Sequence, residues 1–486
     1  MANQIKSEML KGDLYMNGQW VSEPGQTYFE SINPATGELV GICAAATIGQ
    51  VDEAVAYAHK AYPMWRDLPV PERASYLLKA AQLFDIRKEE LARVMTMEMG
   101  KVLAESLGEV GVVIATAQYM AGEGRRLFGE TVPAGFPGRN VRMVREPLGV
   151  AACITPWNFP VSLASYKIFS ALIAGNTVVW KPASEVALSA KIFVEILAEA
   201  GLPDGVVNLI TGSGRTVGRR LAEHPDVKII SFTGSTEVGQ QLAEMSCKTL
   251  KRISLELGGK NAVIVLKDAD LDKAADGIVK SAFTTTGQRC TAASRVIVEK
   301  QVKEELLAKI VQLTKAMKIG NGLEEGNQIG PLVNEAQLHT VENYVKKAVD
   351  QGGNIVLGGK RAEELGGFYY EPTIIENVRP NDVIAQEEIF GPVLAIIEAD
   401  SYEEAMEINN GTIYGLSTAI YTESLHYANR AAREAVSGLV YINNGTSNAE
   451  MGVAFGGMKM SGNGHREVSH HAFDVMTEWK SIYTNY

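Results

Sequence analysis

Two rhythms of apolar and polar residues divide the chain. From 74 to 106 (ASYLLKAAQLFDIRKEELARVMTMEMGKVLAES) apolar positions recur at helical spacing, predicting one or two long helices. Beyond residue 148 short β-branched runs take over. GVAACITP, NTVVWKP, VVNLIT and IISFTG predict strands, with helices between them from about 161 and through 187–200. The alternation resumes in NAVIVL, SRVIVEK, NIVLGG, PVLAIIEA, LSTAIYT and LVYINN. A strand that is apolar from end to end has no face for water, so these runs predict parallel sheets covered by helices on both sides. The fold class is therefore α/β, in two units. Before the first strand, LFGETVPAGFPGRNVRMVREPLGV is rich in Gly, Pro and Arg and reads as a projecting hairpin, a linker or an oligomer contact.

Composition narrows the partners. The 486 residues exceed a single core, so two domains or more are expected. A net charge of −11 argues against nucleic acid or an anionic membrane as the main partner, while allowing a small anion in a local basic pocket. The opening MANQIKSEMLKGDLYMNGQW lacks a signal-peptide core, and no stretch approaches a membrane span. Four scattered cysteines without a CxxC pair suit free thiols in a reducing cytoplasm. No metal is expected: His470 and His471 are adjacent, and HExxH is absent.

The candidate chemistry centres on TTTGQRCTAASR, 284 to 295. Cys290 follows Gly287, Gln288 and Arg289 and sits among small and polar residues, where a packing cysteine would prefer an apolar run such as that around Cys153. Two turns compete for phosphate. NLITGSGRTVG (208–218) has Gly212, Gly214 and Gly218, but its third glycine comes one residue late for GxGxxG, so a plain turn is the better reading. In IISFTGSTEVGQQL a β-branched strand ends at Gly234, and Ser235 opens a helix; spacing alone does not separate a phosphate cradle from an ordinary helix cap. Lys181 in NTVVWKPASE adds a cation at another strand end.

Taken in order, ITPWNFP (154–160), Lys167, KPASE (181–185), FTGSTEVG (232–239), LELGGKN (255–261), GQRC (287–290), EEIFGPV (387–393) and FGGMKMSGNG (455–464) resemble the NAD(P)-dependent aldehyde dehydrogenases over nearly the whole chain. The resemblance implies a Rossmann-like coenzyme domain (1–127 and 148–257), an α/β catalytic domain (258–455), and a small β oligomerisation element (128–147 and 456–486). It also implies a homodimer or homotetramer. Cys290 would be the nucleophile, Asn158 the oxyanion donor, and Glu256 the base that activates water. Lys167 would steady the water or the glutamate. NADP or NAD would lie against Thr155, Pro156, Trp157, Lys181, Ser184, Glu185, Gly214, Gly218, Phe232, Gly234, Ser235, Leu257, Glu388 and Phe390. Ser184 stands where NAD-preferring members carry a glutamate, which removes a repulsion against a 2′-phosphate; Glu185 is next to it.

For the substrate, Tyr166 occupies the place of an arginine usual in succinate semialdehyde dehydrogenases. GQRCTA and SGNGHRE (461–467) are instead similar to the 2-oxoglutarate semialdehyde (2,5-dioxopentanoate) dehydrogenases, so Arg289 is expected to pair a substrate carboxylate. GNGHRE departs from the commoner GxGRE, and Glu467 is left out of the expected site. Alternatives are succinate semialdehyde, glyceraldehyde or lactaldehyde as substrate, transfer of the acyl group to coenzyme A, or binding without catalysis.

Overall fold

The computed structural model describes residues 9–447 and 449–486. Five strands, β1 (Val150–Ile154), β2 (Thr177–Lys181), β3 (Val207–Leu209), β4 (Val227–Thr233) and β5 (Arg252–Glu256), run parallel in the order β3-β2-β1-β4-β5. Two N-terminal strands, Leu14–Met16 and Gln19–Val21, extend this sheet antiparallel beyond β3, an addition the sequence rhythm does not announce. Every residue of β1 and β2 is buried. Val178 and Trp180 pack into one core while Val179 packs into the other, so period-two alternation feeds a hydrophobic layer on each face. Helices Val70–Ile86, Lys88–Met99 and Leu103–Glu123 realise the helical rhythm of the N-terminal part, and Phe84 from the first meets Phe193 at 4.9 Å.

The second sheet contains β6 (Ala262–Val265), β7 (Arg295–Glu299), β8 (Asn354–Leu357), β9 (Thr373–Glu376), β10 (Val393–Ala399), β11 (Ser417–Tyr421) and β12 (Leu439–Ile442), in the order β8-β9-β10-β7-β6-β11-β12. All pairs are parallel except β8 with β9. β8 is thus an antiparallel edge strand, which accounts for its partial exposure. The hairpin strand Arg139–Pro147 pairs antiparallel with Glu130–Val132 on one side and with the C-terminal strand Thr477–Asn485 on the other, in a separate, largely exposed sheet.

The order β3-β2-β1-β4-β5 reverses direction at β1, so the chain leaves β1 and β4 toward opposite faces and opens a crevice at their carboxyl ends. That edge faces the amino edge of the second sheet, where 257–261, 284–294 and 387–392 lead into β6, β7 and β10. Among the described residues no helix is long and apolar enough to cross a membrane.

Candidate active site

A cavity of about 230 Å³ lies where the two edges meet. Pro156, Trp157 and Asn158 line it after β1, Thr233, Gly234 and Ser235 after β4, and Leu257 and Gly258 after β5; Cys290, Gln337, Glu388 and Phe390 come from the second unit. Residues separated by more than 200 positions therefore converge on one space.

Cys290 is half-buried at the end of a strained turn. Thr285, Thr286 and Gly287 all have positive φ (54°, 58° and 68°), a run of left-handed residues that β-branched side chains avoid. A side chain on Gly287 would strike the carbonyl oxygen of Gly391, its Cβ only 2.3 Å away. The turn is held by Glu105, whose Oε1 accepts from the Thr285 N–H at 2.8 Å and from Arg289 at 3.2 Å. Burial pushes the Cys290 thiol up to about 12, and the Glu388 and Glu256 carboxylates push the same way. Beside it, Asn158 Nδ2 donates to the Gln288 carbonyl at 3.0 Å, leaving its second N–H for another acceptor, while Oδ1 is buried without a partner among the described residues. The Asn158 carbonyl receives Lys101 at 2.8 Å, and Lys101 is ion-paired with buried Glu109.

Glu256, the last residue of β5, is buried, and among the described residues neither carboxylate oxygen has a partner in hydrogen-bonding geometry, the Gly457 N–H lying only near enough to oppose the shift. Burial raises its pKa well above the carboxylate range, Glu467 adds to this, and Lys167 opposes it. Lys167 itself is ion-paired with Glu467 in the buried space below β4, and Glu467 also accepts from Ser231 at 3.5 Å. Glu467 is the residue sequence reasoning missed: its partner lies 300 positions away, and only a fold brings them together. On the opposite wall Glu388 accepts from the Gly259 N–H at 3.0 Å and packs so closely on Gly258 that a Cβ there would come within 2.2 Å of it. Burial raises the Glu388 carboxyl to about 7. Phe390 has φ 58° and meets Trp157 edge-on at 5.3 Å.

The helix N-termini at the carboxyl edge of the first sheet are not equivalent. Behind β1, Glu109 accepts from the Val161 and Ser162 N–H groups, both at 2.9 Å. Behind β2, Glu98 accepts from Leu188 and Ser189 at 2.9 and 2.7 Å. Each internal carboxylate fills the place an anion would take. Behind β4 the helix Thr236–Cys247 is capped by neutral Ser235, and the buried Thr233 hydroxyl beside it has no partner among the described residues. A dinucleotide phosphate fits this last terminus and not the other two. Phe232 supports Gly234 from below.

Lys181 ends β2, where burial holds its ammonium down to about 8, with Glu185 opposing. Gly218, in the turn Gly214–Gly218, lies against it, and Ser184 reaches the Gly212 carbonyl at 3.4 Å. Thr155 accepts from the Trp180 indole at 2.9 Å, tying the ends of β1 and β2 together. These residues gather beyond the Cys290 cavity, along the same sheet edge.

The two residues expected to meet substrate, Tyr166 and Arg289, do not line the cavity. Tyr166 packs with Leu163 and Val468 in an adjoining apolar cluster joined by Phe159 and Phe455. Arg289 lies over the Phe159 ring at 5.3 Å, but its guanidinium is committed to Glu105 and to Thr285 at 2.9 Å. The expected free cation is thus already paired, because the strained turn ahead of Cys290 needs that clamp.

A nucleotide-type sheet edge facing a cysteine, an amide donor and a buried carboxylate of raised pKa is the arrangement of a thiol-based oxidoreductase. The sequence model of the aldehyde dehydrogenase family matches residues 20–482, and the chain belongs to that family. It is 41% identical over 473 residues to the alpha-ketoglutaric semialdehyde dehydrogenase of Bacillus subtilis (strain 168), covering 96% of this chain and 97% of that one. It is 37% identical over 474 residues to the NADP(+) succinate-semialdehyde dehydrogenase of Escherichia coli (strain K12), covering 98% of each. Among solved structures, an indole-3-acetaldehyde dehydrogenase of P. syringae, a mutant in complex with NAD+ and IAA, superposes with a TM-score of 0.97 at 36% identity, over 100% of this chain and 99% of that chain.

Proposed function

We propose that the chain oxidises a carboxylated aldehyde, 2-oxoglutarate semialdehyde (2,5-dioxopentanoate), to the carboxylate with NADP or NAD. The observation that carries the reading is the convergence of Cys290, Asn158 and Glu388 on one cavity at the crevice of the nucleotide-type sheet. Bound coenzyme supplies the hydride acceptor. Cys290 gives its thiol proton to water and its sulfur adds to the aldehyde carbon, and the free Asn158 N–H, with the Cys290 backbone N–H, receives the oxyanion. Loss of the former aldehyde hydrogen with its electron pair leaves a thioester on sulfur. Glu256 then takes a proton from water, whose oxygen attacks the thioester carbon; the C–S bond breaks and the thiol is restored. Lys167, held by Glu467, sets the charge beside Glu256. Gly234, Ser235 and the open N-terminus after β4 would cradle the pyrophosphate, Glu388 the nicotinamide ribose, and Lys181, Ser184 and the Gly214–Gly218 turn the adenosine end.

The substrate reading is supported by the 41% identical relative and by the GQRCTA stretch. With Arg289 clamped by Glu105, a substrate carboxylate would have to exchange for Glu105 on the guanidinium. The exposed three-stranded sheet, with Trp479 and Tyr483 outward, suits contact between copies in a dimer or tetramer, and four free thiols suit a reducing compartment. Initial rates with 2,5-dioxopentanoate, succinate semialdehyde, glyceraldehyde and an uncharged alkyl aldehyde, each with NAD and NADP, test the reading. An advantage for 2,5-dioxopentanoate of about tenfold or more in kcat/KM, about 1.4 kcal/mol, is expected. A flat profile would remove the substrate assignment and leave the thiol chemistry standing.

A further inference from the structure

Glu185 stands just past the carboxyl end of β2. In a dinucleotide fold the adenosine ribose is read there, and an acidic side chain bonds its 2′-hydroxyl and rejects a 2′-phosphate. In this chain that acid is held elsewhere. Asn334, the N-cap of the helix Glu335–Asp350, donates from Nδ2 to Glu185 Oε1 at 3.3 Å. Its Oδ1 accepts from the Gln337 N–H at 2.9 Å, so both ends of the amide are used and its orientation is set. Gln337 in turn donates to the carbonyls of Ile389 and Phe390, 2.9 Å each, and lines the Cys290 cavity. One amide thus reaches across from the second unit and fastens the carboxylate beside the end of β2. Ser184 turns back toward Gly212, and Lys181 stays buried next to the turn with no ion pair among the described residues.

We propose that Asn334 determines coenzyme selectivity: by holding Glu185 toward the second unit it keeps that carboxylate away from a 2′-phosphate, which Lys181, using the N–H groups not given to the Pro182 carbonyl at 2.9 Å, and Ser184, turning from Gly212, would take. The proposal rests on the reading that the adenosine end of a coenzyme lies at β2, and it concerns a residue that touches neither the reacting atoms nor the thiol. Released from Asn334, the Glu185 carboxylate would pair with the ribose 2′-hydroxyl and repel the phosphate. A unit charge about 6 Å from another in water changes binding about threefold, and a 2′-phosphate carries nearly two charges.

The test uses the whole chain without turnover. Calorimetric Kd values are measured for ADP-ribose and for 2′-phospho-ADP-ribose at low salt. Asn334→Ser keeps a good helix cap but is too short to reach Glu185, so the fold is preserved. It is expected to weaken 2′-phospho-ADP-ribose about three- to tenfold relative to ADP-ribose. Glu185→Gln should shift the ratio the other way or leave it, and on that background Asn334→Ser should have no further effect. An unchanged ratio in Asn334→Ser, or an equal shift in the double variant, would overturn the role of Asn334. If neither ligand binds the wild-type chain, the coenzyme reading itself is overturned. Recovery of the wild-type ratio by Asn334→Gln, which restores an amide donor, would support the proposal.

Discussion

Removing the Asn158 side chain separates chemistry from stability more cleanly than any other change at this site. Its amide nitrogen carries two N–H groups; one is committed to the Gln288 carbonyl at 3.0 Å, and the second is available to the oxyanion proposed beside Cys290. Loss of a single oxyanion donor lowers kcat about 10²–10³-fold, or about 2.7–4 kcal/mol. The folded state should scarcely notice. Asn158→Ala loses the Gln288 hydrogen bond, worth about 1 kcal/mol, and also deletes the buried, unpartnered Oδ1, whose desolvation costs about 1–3 kcal/mol. The backbone carbonyl that receives Lys101 is kept. With offsetting contributions of this size, Tm should move by about 2 °C or less in a chain this long. Steady-state kinetics, a calorimetric melt and iodoacetamide labelling of Cys290 on one preparation supply the three readouts. A kcat within about threefold of wild type would remove Asn158 from the oxyanion site. A large fall in kcat together with an equally large fall in Tm would show that its role is structural.

Other substitutions probe the surroundings. Gly258→Ala places a Cβ 2.2 Å from the Glu388 carboxylate and must displace it; coenzyme KM should rise about 10-fold or more, the worth of a charge-assisted hydrogen bond, with the fold intact by circular dichroism. Lys101→Met removes the ion partner of buried Glu109 and leaves it the Val161 and Ser162 N–H groups, so denaturant melts should show a loss of about 3 kcal/mol, the lower end for breaking a buried pair. Because burial and Glu467 hold Glu256 protonated well above the carboxylate range, thioester hydrolysis should climb with pH through that raised pKa, and Glu256→Gln should abolish the climb. The same shift makes a stability contribution that is full below the ordinary carboxylate pKa and lost as pH rises through the raised one. Wild type should therefore lose stability relative to Glu256→Gln on going from acid to neutral pH, as parallel melts would register.

Much of this could be seen in the chain before it folded. GVAACITP and NTVVWKP had to be interior strands because neither offers a polar face, and both are buried throughout. The motifs around Asn158, Gly234 and Cys290 fall on the ends of such strands, so their convergence on one cavity follows from the parallel order. What the sequence hides is pairing between distant charges. Arg289 looks like a free cation until Glu105, 184 positions away, is found clamping it to hold a left-handed turn. Lys167 and Glu467 lie farther apart still, 300 positions. Nor does any local signal reveal that Glu98 and Glu109 fill two helix N-termini and leave the one after β4 open, since each carboxylate comes from a helix far from the terminus it caps.

The proposed reaction turns on a thioester at Cys290 that Glu256 releases. Glu256→Gln enzyme mixed with 2,5-dioxopentanoate and NADP, quenched in acid after one turnover, and analysed as intact protein and peptides, tests it directly. One equivalent of reduced coenzyme is expected, with a matching acyl mass on the peptide containing Cys290 that persists because no base removes it. Coenzyme reduction without an adduct, an adduct on Cys43, Cys153 or Cys247, or wild-type turnover by the variant would contradict it.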